Sequence, residues 1–414
     1  MPSRHRTLTP SIAAATIEAA LAGDGRELVG IEMEWPVHHV SGPAVRARID
    51  VLQRACREPL PAGGRATVEP GGQMELSTLP AKTMDDAINA AHVDAEVLRS
   101  RLERTQLVMR DLAVDTLRPP RRILHAPRYD AMESFFAAGG EAGTWMMCNT
   151  ASLQLNLSYH PVCPDRRWAL AQQLGPVLLA CFANSPGLDA SGRRWESLRQ
   201  AIWWSIDPSR TRPPCHTLSM TQSWLDYALC ADVMLIWSHD GTDATAMRPG
   251  MPFERWMADG HELGWPTADD LAYHLTTLFP PVRPRGWLEL RMIDALPPAL
   301  AEVAALVTAT ALTVEDATGE LQEQLPGTDQ LWLEAARSGL AHPLLARGSH
   351  TLFDVVSRHL HQVTGSRCRQ DAVLDFRDRF VRPGVSPAQA IGQLALSRGR
   401  LPALVPAARE RKIA

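Results

Sequence analysis

Alternating apolar and polar positions are the clearest pattern in this chain, and they predict strands at residues 27–37, 68–77, 145–159 and 287–293. In the third of these, Leu153 and Leu155 alternate with Gln154 and Asn156. Strands with one apolar and one polar face are typical of antiparallel sheets that cover a core on one side. We therefore expect a mainly antiparallel sheet.

The segment Val68–Ser77 departs from simple alternation, because Pro70-Gly71-Gly72 interrupts it. Glu69 and Glu75 lie on either side of the interruption. A buried strand has no structural use for two acids around a double glycine. A glycine kink can re-aim the backbone, so we expect both carboxylates to point at one centre.

Helical periodicity fills most of the remaining sequence. Predicted helices cover residues 10–22, 44–58, 83–112, 129–138, 165–183, 196–206, 221–231 and 267–279, and a further strand covers 233–237. Beyond Pro298 the pattern is helical to the end of the chain. We expect residues 1–297 to form one catalytic unit and residues 298–414 a helical part packed on it.

Composition narrows the class of protein. The 414 residues are 45% hydrophobic and 21% charged with a formal net charge of −4, so a large core is expected and a basic surface for nucleic acid is not. Neither G-x-x-x-x-G-K-[ST], G-x-G-x-x-G after a strand, nor G-x-S-x-G occurs. The count of 7 Cys is odd and includes no C-x-x-C pair, which indicates reduced thiols and a cytoplasmic location.

No stretch of the sequence is apolar over a length that would predict a membrane span. The basic start followed by an Ala-rich run resembles a signal peptide. However, Glu18 interrupts the apolar run, and Thr9-Pro10 is typical of a helix start. We therefore expect an amino-terminal helix in a protein that does not bind membranes.

The polar faces of the predicted strands are rich in acids. Their residues are Glu32, Glu34, Glu69, Glu75, Gln154 and Glu289. A solvated sheet face is the ordinary alternative, although such faces usually mix Lys, Arg and Thr with their acids.

If the strands are neighbours, each close carboxylate pair repels by about 4 kcal/mol at an effective dielectric constant of about 20. Protons or cations must then offset the repulsion. Oxygen ligands favour Mg²⁺ or Mn²⁺, and such ions suggest phosphate chemistry.

Several characteristic segments occur in order along residues 27–297. They are Gly30-Ile-Glu-Met-Glu-Trp35, Glu69-Pro-Gly-Gly-Gln-Met-Glu-Leu-Ser77, Thr150 to Asn156, Ser197 to Trp203, Asp207 to Thr211, Trp224 to Leu229 and Leu271 to Met292. Together they resemble the plant-type and actinobacterial glutamate–cysteine ligases. Within that family the chain is most similar to the branch that opens ergothioneine biosynthesis. The resemblance implies an α+β, glutamine-synthetase-like fold, in which a curved antiparallel sheet lines an active-site funnel flanked by helices.

The same resemblance implies ATP- and Mg²⁺-dependent joining of the L-glutamate γ-carboxylate to the L-cysteine amine through γ-glutamyl phosphate. By this resemblance the metal ligands are Glu32, Glu34, Glu69, Glu75, Gln154 and Glu289. Arg291 is expected to face the transferred phosphoryl group and Arg199 the glutamate α-carboxylate, with Thr150 and Trp203 beside the substrate. Arg210 is a further candidate for phosphate or carboxylate.

Two alternatives remain open on sequence alone. The first keeps the fold and uses another amine acceptor, such as a different amino acid or a polyamine. The second is a metal-dependent amidohydrolase, which forms its product without ATP. The sequence does not fix the oligomeric state, the number of metal ions or the residues of the cysteine pocket.

Overall fold

A six-stranded sheet organises the fold, and the computed structural model describes residues 8–238, 240–325 and 327–390. In the described residues the strands are β1 (Val29–Trp35), β2 (Val37–His39), β3 (Arg65–Val68), β4 (Met74–Ser77), β5 (Leu107–Met109), β6 (Ser152–Ser158), β7 (Gly187–Leu188), β8 (Arg194–Trp195), β9 (Leu235–Trp237), β10 (Ala244–Ala246), β11 (Val282–Pro284) and β12 (Trp287–Asp294). The large sheet has the order β11-β12-β6-β1-β4-β3, and its neighbours pair antiparallel.

Helices surround this sheet. They are α1 (Pro10–Leu21), α2 (Ile49–Arg57), α3 (Met84–Glu103), α4 (Pro127–Ala137), α5 (Ala142–Asn149), α6 (Pro164–Cys181), α7 (Leu198–Ser205), α8 (Pro208–Thr211), α9 (Met220–Cys230), α10 (Phe253–Asp259), α11 (Ala268–Leu275), α12 (Pro298–Thr313), α13 (Glu315–Gln324), α14 (Trp332–Ser338), α15 (Pro343–His359), α16 (Arg367–Phe376) and α17 (Pro387–Ala390). Short 3₁₀ turns cover Gly339–Ala341 and Leu360–Gln362, and a π-helical turn covers Arg377–Val381.

The apolar face of the sheet forms the main core. Ile31, Leu76, Leu155 and Leu290 all point to this face and are buried, as alternation predicts. Helices α3, α6 and α12 contact the sheet strands on this side. Because α12 lies beyond residue 297 and belongs to the same core, the helical carboxyl-terminal part shares its packing with the sheet. The boundary drawn at residue 297 stays a prediction.

A second apolar cluster joins α1 to α9, α10 and α11. The start of α1 is defined by Thr9, whose side chain accepts a hydrogen bond from the Ile12 N–H, and by Pro10 in the first turn. Helix α11 begins with a capping box between Thr267 and Asp270. These caps fix helix starts that the sequence predicts within a residue or two.

Several sequence predictions of secondary structure are wrong in extent: the helix predicted over 44–58 begins at Ile49, and the helix predicted over 267–279 ends at Leu275. Two other differences are larger. The strand predicted over 145–159 begins at Ser152, because Ala142–Asn149 is the helix α5 with a nearly continuous buried run. The helix predicted over 83–112 ends at Glu103. Gln106 then adopts a positive φ of 59°, and the following strand β5 pairs with β2. The α+β class and the mainly antiparallel sheet are confirmed.

Within the described ranges no single helix is long and apolar enough to cross a membrane; α12 and α13 meet that requirement only when taken together, with an 86° bend between them.

Candidate active site

A cavity of about 440 Å³ lies over the polar face of the sheet. The opposite wall comes from α4, α5, α7 and the segment after α11, through residues such as Tyr129, Met147, Trp203 and Phe279. The sequence-predicted residues that line it are Glu32, Glu34, Glu69, Glu75, Gln154, Glu289, Arg291, Thr150 and Trp203. The structure thus brings together nine predicted residues from separate segments. Arg199 and Arg210 are not among the residues lining the cavity.

Strand register explains why the acids converge. Glu34 lies directly opposite Glu75 in the β1–β4 pair, and Glu32 lies opposite Gln154 in the β1–β6 pair. Glu289 lies opposite Asn156 in the β12–β6 pair. Directly opposite residues of an antiparallel pair project from the same face, so these positions share the cavity side.

The Glu69–Gln73 turn places the remaining acid. The Glu69 N–H donates to the Gln73 carbonyl at 2.8 Å, and the Gly72 N–H donates to the Glu69 carbonyl at 2.8 Å. Gly72 has a φ of +90°, which side chains other than glycine rarely adopt. At Gly71 a Cβ atom would lie 2.2 Å from the Cys148 carbonyl oxygen, so the turn packs directly against α5. Both glycines are therefore required for the close return of the chain.

A register shift in β12 positions Arg291. The pairing with β6 is irregular between Leu290 and Ile293, as in a β-bulge. The Arg291 backbone N–H donates to the Pro281 carbonyl at 2.8 Å, away from β6. Its side-chain Nη1 donates to Gln154 Oε1 at 2.7 Å and to Glu289 Oε2 at 3.1 Å. The bulge thus sets a guanidinium among the acids.

Hydrogen bonds hold most of the acids in place. Glu34 accepts from the Ser152 N–H at 2.8 Å and from Gln154 Nε2 at 2.9 Å. Glu32 accepts from Asn156 Nδ2 at 2.9 Å, and Glu75 accepts from Thr67 Oγ1 at 3.0 Å. The Gln154 oxygen accepts from Arg291, so the metal-ligand role assigned to it would use the remaining lone pair of that oxygen. That role stays a prediction.

Arg199 is buried beside the bulge that carries Arg291. Its side chain is 3% exposed, and Nη2 donates to the Arg291 carbonyl at 2.8 Å. The buried carboxylate of Asp294 lies 3.8 Å from Nη1. Nε and Nη1 have no hydrogen-bond partner among the described residues. The contact supports the bulge that aims Arg291, and the expected contact with a glutamate α-carboxylate stays a prediction.

Arg210 lies outside the cavity altogether and has no exposed surface. Its guanidinium donates to Asp207 Oδ2 at 2.7 Å, to the Thr277 carbonyl at 2.9 Å and to the Asp232 carbonyl at 2.5 Å. The expected contact with phosphate or carboxylate does not fit, because every nitrogen of the guanidinium is already bonded within the protein. The Asp-x-x-Arg spacing makes a local ion pair that joins α8 to neighbouring segments.

The two ends of the acid cluster differ in charge compensation. Burial, together with the charges of Glu34 and Glu32, raises the pKa of Glu75 to about 7. Burial also raises the pKa of Glu69 well above its ordinary value, reinforced by Glu75 and Glu34. At the other end, burial would raise the pKa of Glu289, but Arg283 and Arg291 hold it down at about 2. The negative charges of Glu69 and Glu75 are therefore less well compensated by arginines than that of Glu289.

A divalent cation would compensate the charges of Glu69 and Glu75. Among the described residues, no group of three or more His, Cys, Asp or Glu side chains forms a ready-made metal site. The donor set nevertheless fits a hard cation, because it consists of carboxylates that repel one another and face a cavity. Binding an ion would require these carboxylates to exchange some of their hydrogen bonds for metal contacts.

Glu75 should make the metal-free protein lose stability as the pH rises from about 4.5 to about 7, whereas buried His274, whose pKa burial lowers to about 3, acts in the opposite direction up to about pH 6.5. In that window folded Glu75 retains a proton that the unfolded chain has released, and ionisation at higher pH restores the repulsion. Glu289 has a lowered pKa, so its ionisation changes the stability of the protein only below about pH 4.5. Thermal unfolding in a chelator at about pH 5 and about pH 8 measures the effect. Mg²⁺ should raise the midpoint temperature of unfolding more at the higher pH. An equal rise at both pH values would contradict the view that the ion offsets repulsion between ionised carboxylates.

Several cavity residues are absent from the sequence predictions. Arg283 donates through Nε to Glu289 Oε2 at 2.5 Å, and Tyr129 lies near enough to Glu69 for that charge to raise the pKa of its hydroxyl, after burial as the main cause. Arg283 lies within the segment Leu271 to Met292, which carries part of the family resemblance, so the sequence contained a usable signal for it. Tyr129 and the methionines of α4 and α5 had no such signal, because an apolar helical position is most often core.

The family model and the named proteins that match this chain are described as glutamate–cysteine ligases. The family model described as Glutamate-cysteine ligase family 2 (GCS2) matches residues 28–407. A protein named glutamate–cysteine ligase EgtA from Mycolicibacterium smegmatis is 38% identical over 406 residues, which cover 92% of this chain and 94% of that protein. The EgtA protein of Mycobacterium tuberculosis (strain H37Rv) is 35% identical over 387 residues, covering 87% of this chain and 88% of that protein.

Solved structures share the fold. The glutamate–cysteine ligase of Francisella tularensis, solved in complex with AMP, matches with a TM-score of 0.55 and 14% identity over 92% of this chain and 86% of that one. A bifunctional glutathione synthetase from Pasteurella multocida matches with a TM-score of 0.53 and 14% identity, over 93% of this chain and 53% of that chain. The ligase fold expected from the resemblance is confirmed.

Proposed function

The chain belongs to glutamate–cysteine ligase family 2, and on that premise we propose that it joins the γ-carboxylate of L-glutamate to the amine of L-cysteine, with ATP as the phosphoryl donor. The observation that carries the proposal is the convergence of Glu34, Glu69, Glu75 and Arg291 on one cavity. Repelling carboxylates beside a guanidinium match the needs of phosphoryl transfer, where cations and positioned charges do most of the work.

The reaction has two displacement steps. An oxygen of the glutamate γ-carboxylate attacks the γ-phosphorus of ATP, the bond to the ADP oxygen breaks, and γ-glutamyl phosphate forms. The cysteine amine then attacks the γ-carbonyl carbon, loses a proton and displaces phosphate. The products are γ-glutamylcysteine, ADP and phosphate.

The chain's own residues provide charge and position for these steps. Arg291 is placed by its bulge and by Glu289 so that its guanidinium faces the cavity, where it would neutralise charge on the transferred phosphoryl group. Glu32, Glu34, Glu69 and Glu75 would hold Mg²⁺, or Mn²⁺ in its place, and the bound ion would neutralise phosphate oxygens of ATP. Glu289 contacts Arg283 and Arg291 through Oε2, so Oε1, which lies 3.7 Å from Arg285 Nη1, is the oxygen that would bind an ion.

The substrate side of the cavity is less polar. Trp203 and Phe279 meet edge to face with ring centroids 5.8 Å apart, and Met147 lies on the same wall. Thr150 also lines the cavity, but its hydroxyl donates to the Met146 carbonyl at 2.6 Å. We propose that Trp203 contacts substrate directly and that Thr150 does so only through its remaining acceptor capacity.

The similarity to two proteins named EgtA supports placing the product at the start of ergothioneine biosynthesis. The free state of all seven cysteines supports the proposal of a reducing compartment such as the cytoplasm.

Coupled measurement of ADP release tests the proposal. We expect fast release with glutamate, cysteine, ATP and Mg²⁺ together, slow release with glutamate alone, and none in excess chelator. Serine, 2-aminobutyrate and a polyamine replace cysteine in parallel reactions. A better acceptor than cysteine would overturn the substrate assignment, and amide hydrolysis without ATP would indicate the amidohydrolase class.

A further inference from the structure

Gln73 lies in the cavity wall, and its side-chain amide is fully used within the protein. It is 2% exposed. Its Oε1 accepts from the Gly71 N–H at 3.0 Å, and its Nε2 donates to the Met147 carbonyl at 3.3 Å and the Thr150 carbonyl at 3.0 Å. One amide therefore connects the Glu69–Gln73 turn to the carboxyl-terminal end of α5.

The same turn is held from a second side. The Pro70 carbonyl accepts from the Ile123 N–H at 2.8 Å and from the Leu124 N–H at 3.1 Å. Gly71 contributes no side chain, which lets the turn approach the Cys148 backbone closely. The turn is thus fixed between α5 and the segment before α4.

This anchoring opposes a repulsion inside the site. Glu69 and Glu75 flank the turn and face the same cavity as Glu34. Without fixed anchors, the short turn could relieve the repulsion by moving Glu69 away. Both the nitrogen and the oxygen of the Gln73 amide are bonded to backbone groups, so its contribution is to the position of the acids.

We infer that Gln73 is a positioning residue, whose amide holds the Glu69–Gln73 turn so that Glu69 and Glu75 face one divalent cation. The inference rests on the proposed function, because it assumes that the acids bind a cation. Outer hydrogen-bond partners of metal-binding groups typically change metal affinity by about 10–100-fold when replaced.

The test measures Mn²⁺ binding by electron paramagnetic resonance of the free ion, with the full-length protein and no substrate. Gln73→Met keeps the length of the side chain and removes its hydrogen bonds, so we expect Mn²⁺ affinity to fall about 10–100-fold. Gln172→Met is the matched control, since Gln172 is also buried but its amide makes no hydrogen bond among the described residues. We expect its Mn²⁺ affinity to equal that of the unaltered protein.

A kinetic comparison separates positioning from general damage. In the ADP assay, Gln73→Met should raise the half-saturating Mg²⁺ concentration by a similar factor while leaving KM for cysteine unchanged. Equal Mn²⁺ affinity in Gln73→Met and the unaltered protein would overturn the role of Gln73 and leave the proposed function intact. Absence of Mn²⁺ binding by the unaltered protein would instead overturn the metal-dependent function itself.

A second variant covers the case in which Gln73→Met does not fold. Gln73→Asn retains an amide but is one methylene shorter, so it cannot span from Gly71 to both α5 carbonyls. We expect weaker Mn²⁺ binding with a native circular dichroism spectrum. Unaltered binding by Gln73→Asn would contradict the inference. Loss of the native spectrum in both variants would do so too, because the amide would then maintain the fold and not the acid positions.

Discussion

Glu75→Gln is expected to make the metal-free protein more stable and the enzyme far less active. The substitution removes a carboxylate whose pKa burial and neighbouring acids raise to about 7. A shift of this size corresponds to a gain on the order of 1–3 kcal/mol in the free energy of unfolding at about pH 8. The glutamine oxygen can still accept from Thr67, so the strand pairing is retained.

Activity should move in the opposite direction. Removing one preorganised charged group from a site that stabilises transition-state charge typically costs about 10²–10³-fold in kcat. We expect ADP release by Glu75→Gln to fall by that factor at saturating substrates. Glu58→Gln is the control, because Glu58 is 77% exposed and lies away from the cavity lining. Full activity of Glu75→Gln would rule out its role in the site.

Gly71→Ala should damage both stability and activity. The added Cβ would lie 2.2 Å from the Cys148 carbonyl oxygen and 2.5 Å from the Cys148 Cα, and neither backbone atom can move without shifting α5. Overpacking of this kind costs about 1–3 kcal/mol in the free energy of unfolding. The turn would be pushed away from α5, and a displacement of about 1 Å in a positioned group can cost roughly 10²-fold in rate.

Gly365→Ala provides the comparison for this prediction. A Cβ at Gly365 meets no heavy atom within 4 Å, and the backbone there does not have a positive φ. We expect unchanged activity and a slight gain in stability, since alanine lowers the conformational entropy of the unfolded chain. Denaturant unfolding and the ADP assay on both variants check the pair. Wild-type activity in Gly71→Ala would show that the turn need not contact α5.

The acid positions could be predicted from sequence because strand geometry is periodic. Alternation put Glu32 and Glu34 on one face, and the sheet order then placed Glu75 and Glu289 on the same side. Glu69 lies in a turn and has no alternation partner, but the double glycine marked the reversal that brings it back. Local rules were sufficient at these positions.

The roles of the arginines were harder to predict, because the spacing of residues along the sequence does not reveal which way a long side chain points. Arg199 and Arg210 both carry charge that suits a substrate anion, yet both side chains are buried and neither is among the residues lining the cavity. Arg199 contacts Arg291 and Asp294 of β12, and Arg210 contacts Thr277 and Asp232 besides its sequence neighbour Asp207. The contacts with residues distant in sequence depend on tertiary packing and leave no periodic trace.

Helix α5 was predicted wrongly from the sequence, as part of a strand. Trp145-Met-Met-Cys148 is a short apolar run, which fits a buried strand and a buried helix equally well. The alternation after Thr150 extended the predicted strand backwards into this run. The helix matters for the site, because its last turn provides the carbonyls that Gln73 and Thr150 contact.

The most direct test of the account follows an oxygen atom. Glutamate labelled with ¹⁸O in its γ-carboxylate is incubated with cysteine, ATP, Mg²⁺ and the protein, and the products are analysed by mass spectrometry. If acids and cations at this site promote phosphoryl transfer to glutamate, γ-glutamylcysteine forms and each phosphate released carries one ¹⁸O from glutamate. Unlabelled phosphate alongside that product, or product formed without ATP, would contradict the central claim.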